Sequence, residues 1–234
     1  MTVTVGEPPG SFNFGIAPTL LPPADPGAGR LDIDIEDQPS TTGQLPPPMS
    51  ELTIGLDRSI QLEPLGLPIC GWAQHPRLQI ENPMAGCSQA VIGRFVGEIV
   101  VAFPEEVPIH TPVSGKIYNG GRQHGAAIVG LRMLVSAPVL GALRLLMKVR
   151  SVHDGRIGSQ MTVKIPEIVG GSGVLTRLDF ELGRAFNRGG ERAGYVNATC
   201  PDGKLLAAAR ATYVDGTSSE VEATRACTRR GRRS

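Results

Sequence analysis

The residues in this 234-residue chain best suited to proton transfer or metal binding are four histidines, His75, His110, His124 and His153. Protein metal sites commonly draw two ligands from one element, and no two of these histidines stand at i, i+2 or i, i+4. Each falls near an expected turn or strand end, so a surface or loop histidine is the favoured reading for all four. A hydrolase would need His110, His124 or His153 to meet a carboxylate and a hydroxyl in space. The chain has no Gly-x-Ser-x-Gly elbow, and its Ser-Gly-rich stretch at 170–173 lacks a strand-to-helix context. No catalytic, cofactor-binding or metal-binding residue is therefore assigned.

Two charged clusters suggest other chemistry. Asp32, Asp34, Glu36 and Asp37 are hard oxygen ligands of the kind calcium takes. Alternate strand residues face one way, however, so Asp32, Asp34 and Glu36 read more simply as the solvated side of an edge strand. The closing run Arg229, Arg230, Arg232 and Arg233 could bind phosphate, anionic lipid or wall polymer, against the simpler reading of a solvated tail. The glycine-rich stretches at 119–121, 170–173 and 189–190 lack the Gly-Lys-Ser/Thr of a phosphate loop and read as turns. Asn197-Ala198-Thr199 matches a glycosylation acceptor, to which no role is given. Trp72, beside Cys70, is expected to pack over a disulfide rather than to meet a ligand.

The four cysteines allow three pairings. Cys70 with Cys87, and Cys200 with Cys227, would each close a local loop and restrict the unfolded chain by about 3 kcal/mol. The alternatives are four buried free thiols, or a zinc site. The latter is disfavoured because there is no C-x-x-C pair.

The elements that must position these residues are strands. Glycine (30) and proline (20) are abundant and scattered, which implies many turns. Aromatics make up only 4 %, so the core must be aliphatic and an exposed stacking platform for sugars or bases is disfavoured. The net charge of +1 gives no basic face for nucleic acid. Half of the prolines lie in residues 1–48, expected as an N-terminal arm with one or two short strands. Leu31, Ile33 and Ile35, and then Leu52, Ile54 and Leu56, alternate with polar residues at a period of two. Val113 to Tyr118 reads as a short strand ended by Asn119-Gly120-Gly121. Ala126 to Met147 is broken by Arg132, Pro138 and Arg144 and is too interrupted to span a membrane as a helix. Within it, Leu140–Val149 has competing helical spacing, and strand is favoured because Pro138 and Asp154-Gly155 bracket it. The expected architecture is an all-β, antiparallel β-sandwich of about a dozen short strands over residues 49–228, with a basic disordered tail at 229–234.

The segments Leu67-Pro68-Ile69-Cys70 and Cys87-Ser88-Gln89-Ala90-Val91-Ile92-Gly93 carry a resemblance. So do Ser114-Gly115-Lys116-Ile117-Tyr118, Ile165-Pro166-Glu167-Ile168, Leu178-Asp179-Phe180-Glu181-Leu182 and the closing Cys200-Pro201-Asp202-Gly203 with Cys227. Over residues 50–227 the pattern resembles uncharacterised large secreted β-rich proteins of high-GC Gram-positive bacteria. Ser88 stands where those proteins often have proline. The resemblance implies an extracellular or cell-envelope β-module and supplies no catalytic residue. The start, Met1-Thr2-Val3-Thr4-Val5, shows no basic start or apolar run of a signal peptide, which leaves a cytosolic chain or a start that is not the biological one. The expected function is non-enzymatic: structural, adhesive or binding. A carbohydrate- or lipid-binding domain and an unrecognised hydrolase are the alternatives. A wall polymer or another copy of the β-module is the expected kind of partner.

Overall fold

Alternation of apolar and polar residues decides the local structure almost everywhere. On the strand holding Leu31, Ile33 and Ile35 those three side chains are buried, while Asp32, Asp34 and Glu36 between them reach solvent. A computed structural model describes residues 10–37, 45–70, 87–136 and 140–229. In chain order its strands are β1 (Ser11–Ala17), β2 (Leu20–Leu21), β3 (Gly27–Glu36), β4 (Met49–Asp57), β5 (Ile60–Leu62) and β6 (Val91–Val101). Then come β7 (Ile109–Gln123), β8 (Ala126–Ser136), β9 (Leu140–Asp154), β10 (Ile157–Lys164), β11 (Gly173–Leu182) and β12 (Ala185–Arg188). The series closes with β13 (Glu191–Gly194), β14 (Val196–Ala198), β15 (Lys204–Tyr213), β16 (Ser218–Ala226) and β17 (Thr228–Arg229). Two short 3-10 turns, Ser88–Ala90 and Val169–Gly171, are the only helical segments among the described residues.

The protein is all-β and antiparallel throughout its main sheet. Thirteen strands form that sheet, in the order β16-β15-β4-β10-β9-β8-β7-β6-β11-β3-β14-β5, with β1 paired to β3. The inward residues of both ends of this order share one core. Leu52, Ile54 and Leu56 of β4 lie in the same cluster as Phe95 of β6, Phe180 of β11 and Ala209 of β15. The two packed layers of a sandwich are thus halves of one rolled sheet. Its ends approach each other where β1 meets β16. There Arg225 Nε donates to the Phe14 carbonyl at 2.8 Å, and its Nη2 donates to Asn13 Oδ1 at 2.7 Å. Among the described residues no helix is long and apolar enough to cross a membrane.

Several expectations take a different form. Of the proline-rich arm expected over 1–48, residues 11–17 and 27–36 are built into the sheet and its core. β3 is no edge strand: its length is shared among β1, β11 and β14. Many strands are long, β7 and β9 reaching 15 residues each. β7 does not stop at Asn119-Gly120-Gly121. It continues to Gln123 through a register shift between Asn119 and Arg122. The Asn119 amide makes this shift: its Nδ2 donates to the carbonyls of Pro64 (3.0 Å) and Pro68 (3.2 Å), and its Oδ1 accepts the Gly121 N–H. The reversal comes later, at His124-Gly125, where both residues have positive φ.

Pro112 is tolerated in β7 because it pairs with Glu98 on one side but lies beyond the last pair of the β8 ladder. β9 settles the helix-or-strand ambiguity. Leu145, Met147 and Val149 are buried while Leu146 is 43 % exposed, a period of two. In β11 the alternation breaks at a bulge between Leu175 and Arg177, so that Leu175 and Leu178 both face inward. At Gly93 on β6, a Cβ would collide with the Glu181 carbonyl of β11, so the close pairing of these strands requires glycine. At the C-terminus Arg229 is part of β17, which pairs in parallel with β2, so the basic tail begins inside a strand. Residues 230–234 lie outside the described residues.

Both local disulfides are present, Cys70–Cys87 and Cys200–Cys227. They account for all four cysteines, which removes the free-thiol and zinc alternatives. Cys70 and Cys87 pack with Ala90 and Tyr118 in a small cluster apart from the main core. Cys200 is fully buried in the main core. Trp72 lies outside the described residues.

Candidate functional site

Antiparallel registers place β4, β10, β9, β8 and β7 so that one end of the rolled sheet is formed by the segment after β4, the β7–β8 turn and the β9–β10 turn. A cavity of about 570 Å³ opens there. Ile60, Ala127, Val149 and Ile157 supply its apolar floor, and Arg58, Arg122 and His153 its polar edge. Two strand irregularities flank it. β10 shifts register against both β4 and β9 between Ile157 and Ser159, and β7 shifts at Asn119 to Arg122. Bulges re-aim side chains and splay a ladder, which is how a sheet end opens into a hollow. Gly158 occupies the β10 bulge because a Cβ there would lie 2.5 Å from Arg58 Cα. Arg58 is held by its Nη2, which donates to the Gly155 carbonyl at 2.6 Å.

Beside the cavity, Ser159 Oγ is buried with no hydrogen-bond partner among the described residues. An unsatisfied buried hydroxyl costs free energy that alanine would not. Ser159→Ala is expected to stabilise the fold by about 1 kcal/mol. The check is a urea midpoint, and a destabilised variant would contradict the assignment.

The histidines separate. His75 lies outside the described residues. His110 Nδ1 sits 3.1 Å from Glu98 Oε1, and Thr176 Oγ1 lies 3.4 Å from the other carboxylate oxygen of Glu98. A carboxylate and a hydroxyl are thus both near His110, but the hydroxyl is on the far side of the carboxylate and cannot pass its proton to the imidazole. His124 and His153 lie at the opposite end, the first in the β7–β8 turn and the second at the cavity edge.

The acidic cluster also divides. Asp34 faces Asp179 directly across the β3–β11 ladder. Arg177 sits among these acids, its Nη2 2.9 Å from Asp179 and 3.9 Å from Asp34, and its Nη1 3.8 Å from Glu36. Partial burial, then the Asp179 charge, raise the Asp34 pKa, and Arg177 opposes them. A guanidinium therefore takes the place a cation would fill. Among the described residues no group of three or more His, Cys, Asp or Glu side chains is arranged to hold a metal ion.

Asp37 leaves the cluster altogether and turns inward at the other end of the sheet. Its carboxyl is buried, and Tyr213 donates to its Oδ1 at 3.2 Å while also lying 3.2 Å from Ser219 Oγ. Burial pushes the Asp37 carboxyl up to about 6, against the Tyr213 hydrogen bond. Burial also carries the Tyr213 phenol up to about 12.

An unfolded aspartate titrates near 3.9, so between about pH 4 and pH 6 the folded chain holds a proton that the unfolded chain has released. The Asp37 contribution is greatest below that window and is lost as pH rises through it. With a discount for partial solvation, the loss is about 1–2 kcal/mol. Asp37→Asn is expected to remove this part of the slope in urea midpoints measured from pH 4 to 7. An unchanged slope would assign the titration elsewhere.

The formal glycosylation acceptor Asn197 has a structural role: its Nδ2 donates to the Gly194 carbonyl at 2.6 Å and its Oδ1 accepts the Gly194 N–H.

Fold and site together define a disulfide-braced, rolled antiparallel sheet with a cationic-edged hollow at one end. No family model, no curated protein and no solved structure matches the chain.

Proposed function

We propose that this chain is an exported, non-enzymatic β-module of the cell envelope or exterior that works by binding. The observation that carries the reading is the pairing of all four cysteines within the fold. Disulfides persist in oxidising compartments and are rare where glutathione and thioredoxin keep thiols reduced. The cysteine-centred resemblance to secreted β-rich bacterial proteins supports the same place of action.

Binding is favoured over a purely structural role by the end cavity, whose size falls within the range of small-ligand sites, roughly 300–1,000 Å³. The same observation favours the lipid-binding alternative over the carbohydrate one. The floor is aliphatic, and among the described residues no Trp, Tyr or Phe lines the hollow as a sugar platform would need.

The test is thiol alkylation in intact cells that make the protein naturally, followed by fractionation and peptide mapping. Cys70–Cys87 and Cys200–Cys227 recovered linked, in the envelope or culture medium, is the expected result. Four alkylated thiols in the cytosolic fraction would overturn the proposal.

A further inference from the structure

We infer that the end cavity is a binding site for an amphipathic anion, an anionic carboxylate or phosphate head on an apolar body. The inference rests on the reading of the chain as a binding module and names the ligand class of its site. Charge is its first support. The whole chain is nearly balanced, with 23 lysines and arginines against 22 acids, yet among the described residues the cavity lining holds Arg58 and Arg122 and no Asp or Glu. Arg122 forms no ion pair or hydrogen bond among the described residues. Exposed and unpaired among those residues, its guanidinium offers a planar fork of donors, the geometry that matches carboxylate and phosphate oxygens. Arg58, already oriented by the Gly155 carbonyl, retains further N–H donors.

The floor is the second support. Ile60, Ala127 and Val149 are buried aliphatic side chains beneath this cationic edge. An inorganic anion would satisfy the edge and leave the floor unused, whereas an uncharged lipid would do the reverse. Only a molecule with both parts uses the whole hollow.

Calorimetric titration of the oxidised full chain tests this with four probes below their aggregation limits: decanoate, decyl phosphate, decanol and inorganic phosphate. Decanoate or decyl phosphate is expected to bind at least about tenfold more tightly than decanol, and inorganic phosphate is expected not to register. Shortening decanoate to hexanoate should weaken binding by roughly fourfold per methylene removed. The tighter of the two anionic probes identifies the source of the head group, and either order supports the inference.

Arg122→Gln should lower affinity about tenfold with an unchanged thermal midpoint. Ser151→Trp, at another exposed lining position, should abolish binding in a folded protein. Equal affinity for decanol and decanoate, or full affinity in Arg122→Gln, would overturn the anion assignment while leaving a binding module. Failure of every probe would overturn the site. Neither result bears on export, which thiol mapping decides separately.

Discussion

Replacing Asp57 with alanine is expected to destabilise the fold by about 2–4 kcal/mol, chiefly by stranding two buried backbone donors. Asp57 ends β4 with a carboxylate that is 1 % exposed. Oδ1 accepts the Ser59 N–H at 2.9 Å. Oδ2 accepts from Arg156 Nη2 at 2.8 Å, from Arg156 Nε at 3.2 Å and from the Leu206 N–H at 3.1 Å. Every neighbour is a donor. Arg156 continues outward to Asp202 at 2.8 Å and to the Lys204 carbonyl at 2.9 Å. One carboxylate therefore ties the end of β4 to the β9–β10 turn and to the start of β15.

Alanine would leave the Ser59 and Leu206 N–H groups without their acceptor in a site that water barely reaches, whereas the half-exposed Arg156 guanidinium would keep Asp202, the Lys204 carbonyl and solvent. Asparagine is expected to rescue little, because its amide would turn hydrogens toward donors. Asp202→Asn removes only a solvent-exposed partner and should change stability little. The measurement is the urea midpoint at pH 7 with an unchanged m-value. A loss below about 1 kcal/mol for Asp57→Ala would show that the network is incidental.

Removing the Cys200–Cys227 bridge by a double alanine replacement is expected to cost about 3.5 kcal/mol, slightly more than removing Cys70–Cys87 at about 3 kcal/mol. The sequence separations are 27 and 17 residues, and the larger loop leaves the unfolded chain more freedom when opened. Position adds to length. Cys200 is fully buried, its N–H donates to the Pro22 carbonyl, and the Cys227 N–H donates to the Gly203 carbonyl. The bridge thus closes the β15–β16 hairpin and holds the chain beside β2, where the next residue, Thr228, donates to Thr19.

Cys70–Cys87 sits in its own small cluster, so its loss should leave the main core intact. Chemical denaturation of the two double variants and of the parent, all under non-reducing conditions, checks the order. Equal stability of the Cys200–Cys227 variant and the parent would show that the rolled sheet alone fixes those ends.

Both expectations draw on features of different legibility. The cysteine pairing was readable because each pair brackets one loop and distant pairs need two elements to converge. Asp57 was not, since a carboxylate at a strand end in sequence looks like any solvated turn residue. Its burial depends on Arg156, 99 positions away, and on Leu206, 149 positions away. The acidic run at 32–37 shows the same limit. Asp32, Asp34 and Glu36 face out as their alternation requires, but Asp37 turns in to meet Tyr213 from β15. Likewise Asn119-Gly120-Gly121 has the composition of a turn. It becomes a bulge because β8 continues to pair with β7 beyond it and the Asn119 amide finds carbonyls near residues 64–68.

Features legible from the chain alone are therefore those that nearest neighbours decide. Period-two patterning makes strands and picks their inner faces, Asp-Gly pairs and Gly189-Gly190 make turns, and cysteine spacing makes local bridges. Long-range assembly settles the rest: that one sheet rolls on itself around one main core, that β3 is interior, and that bulges at Gly158 and after Asn119 open an end cavity edged by Arg58 and Arg122. The physical reason is that pairing order, bulge or turn, and the burial of a charge are properties of two or more segments meeting. Hydrogen bonds and desolvation settle them only once both partners are in place.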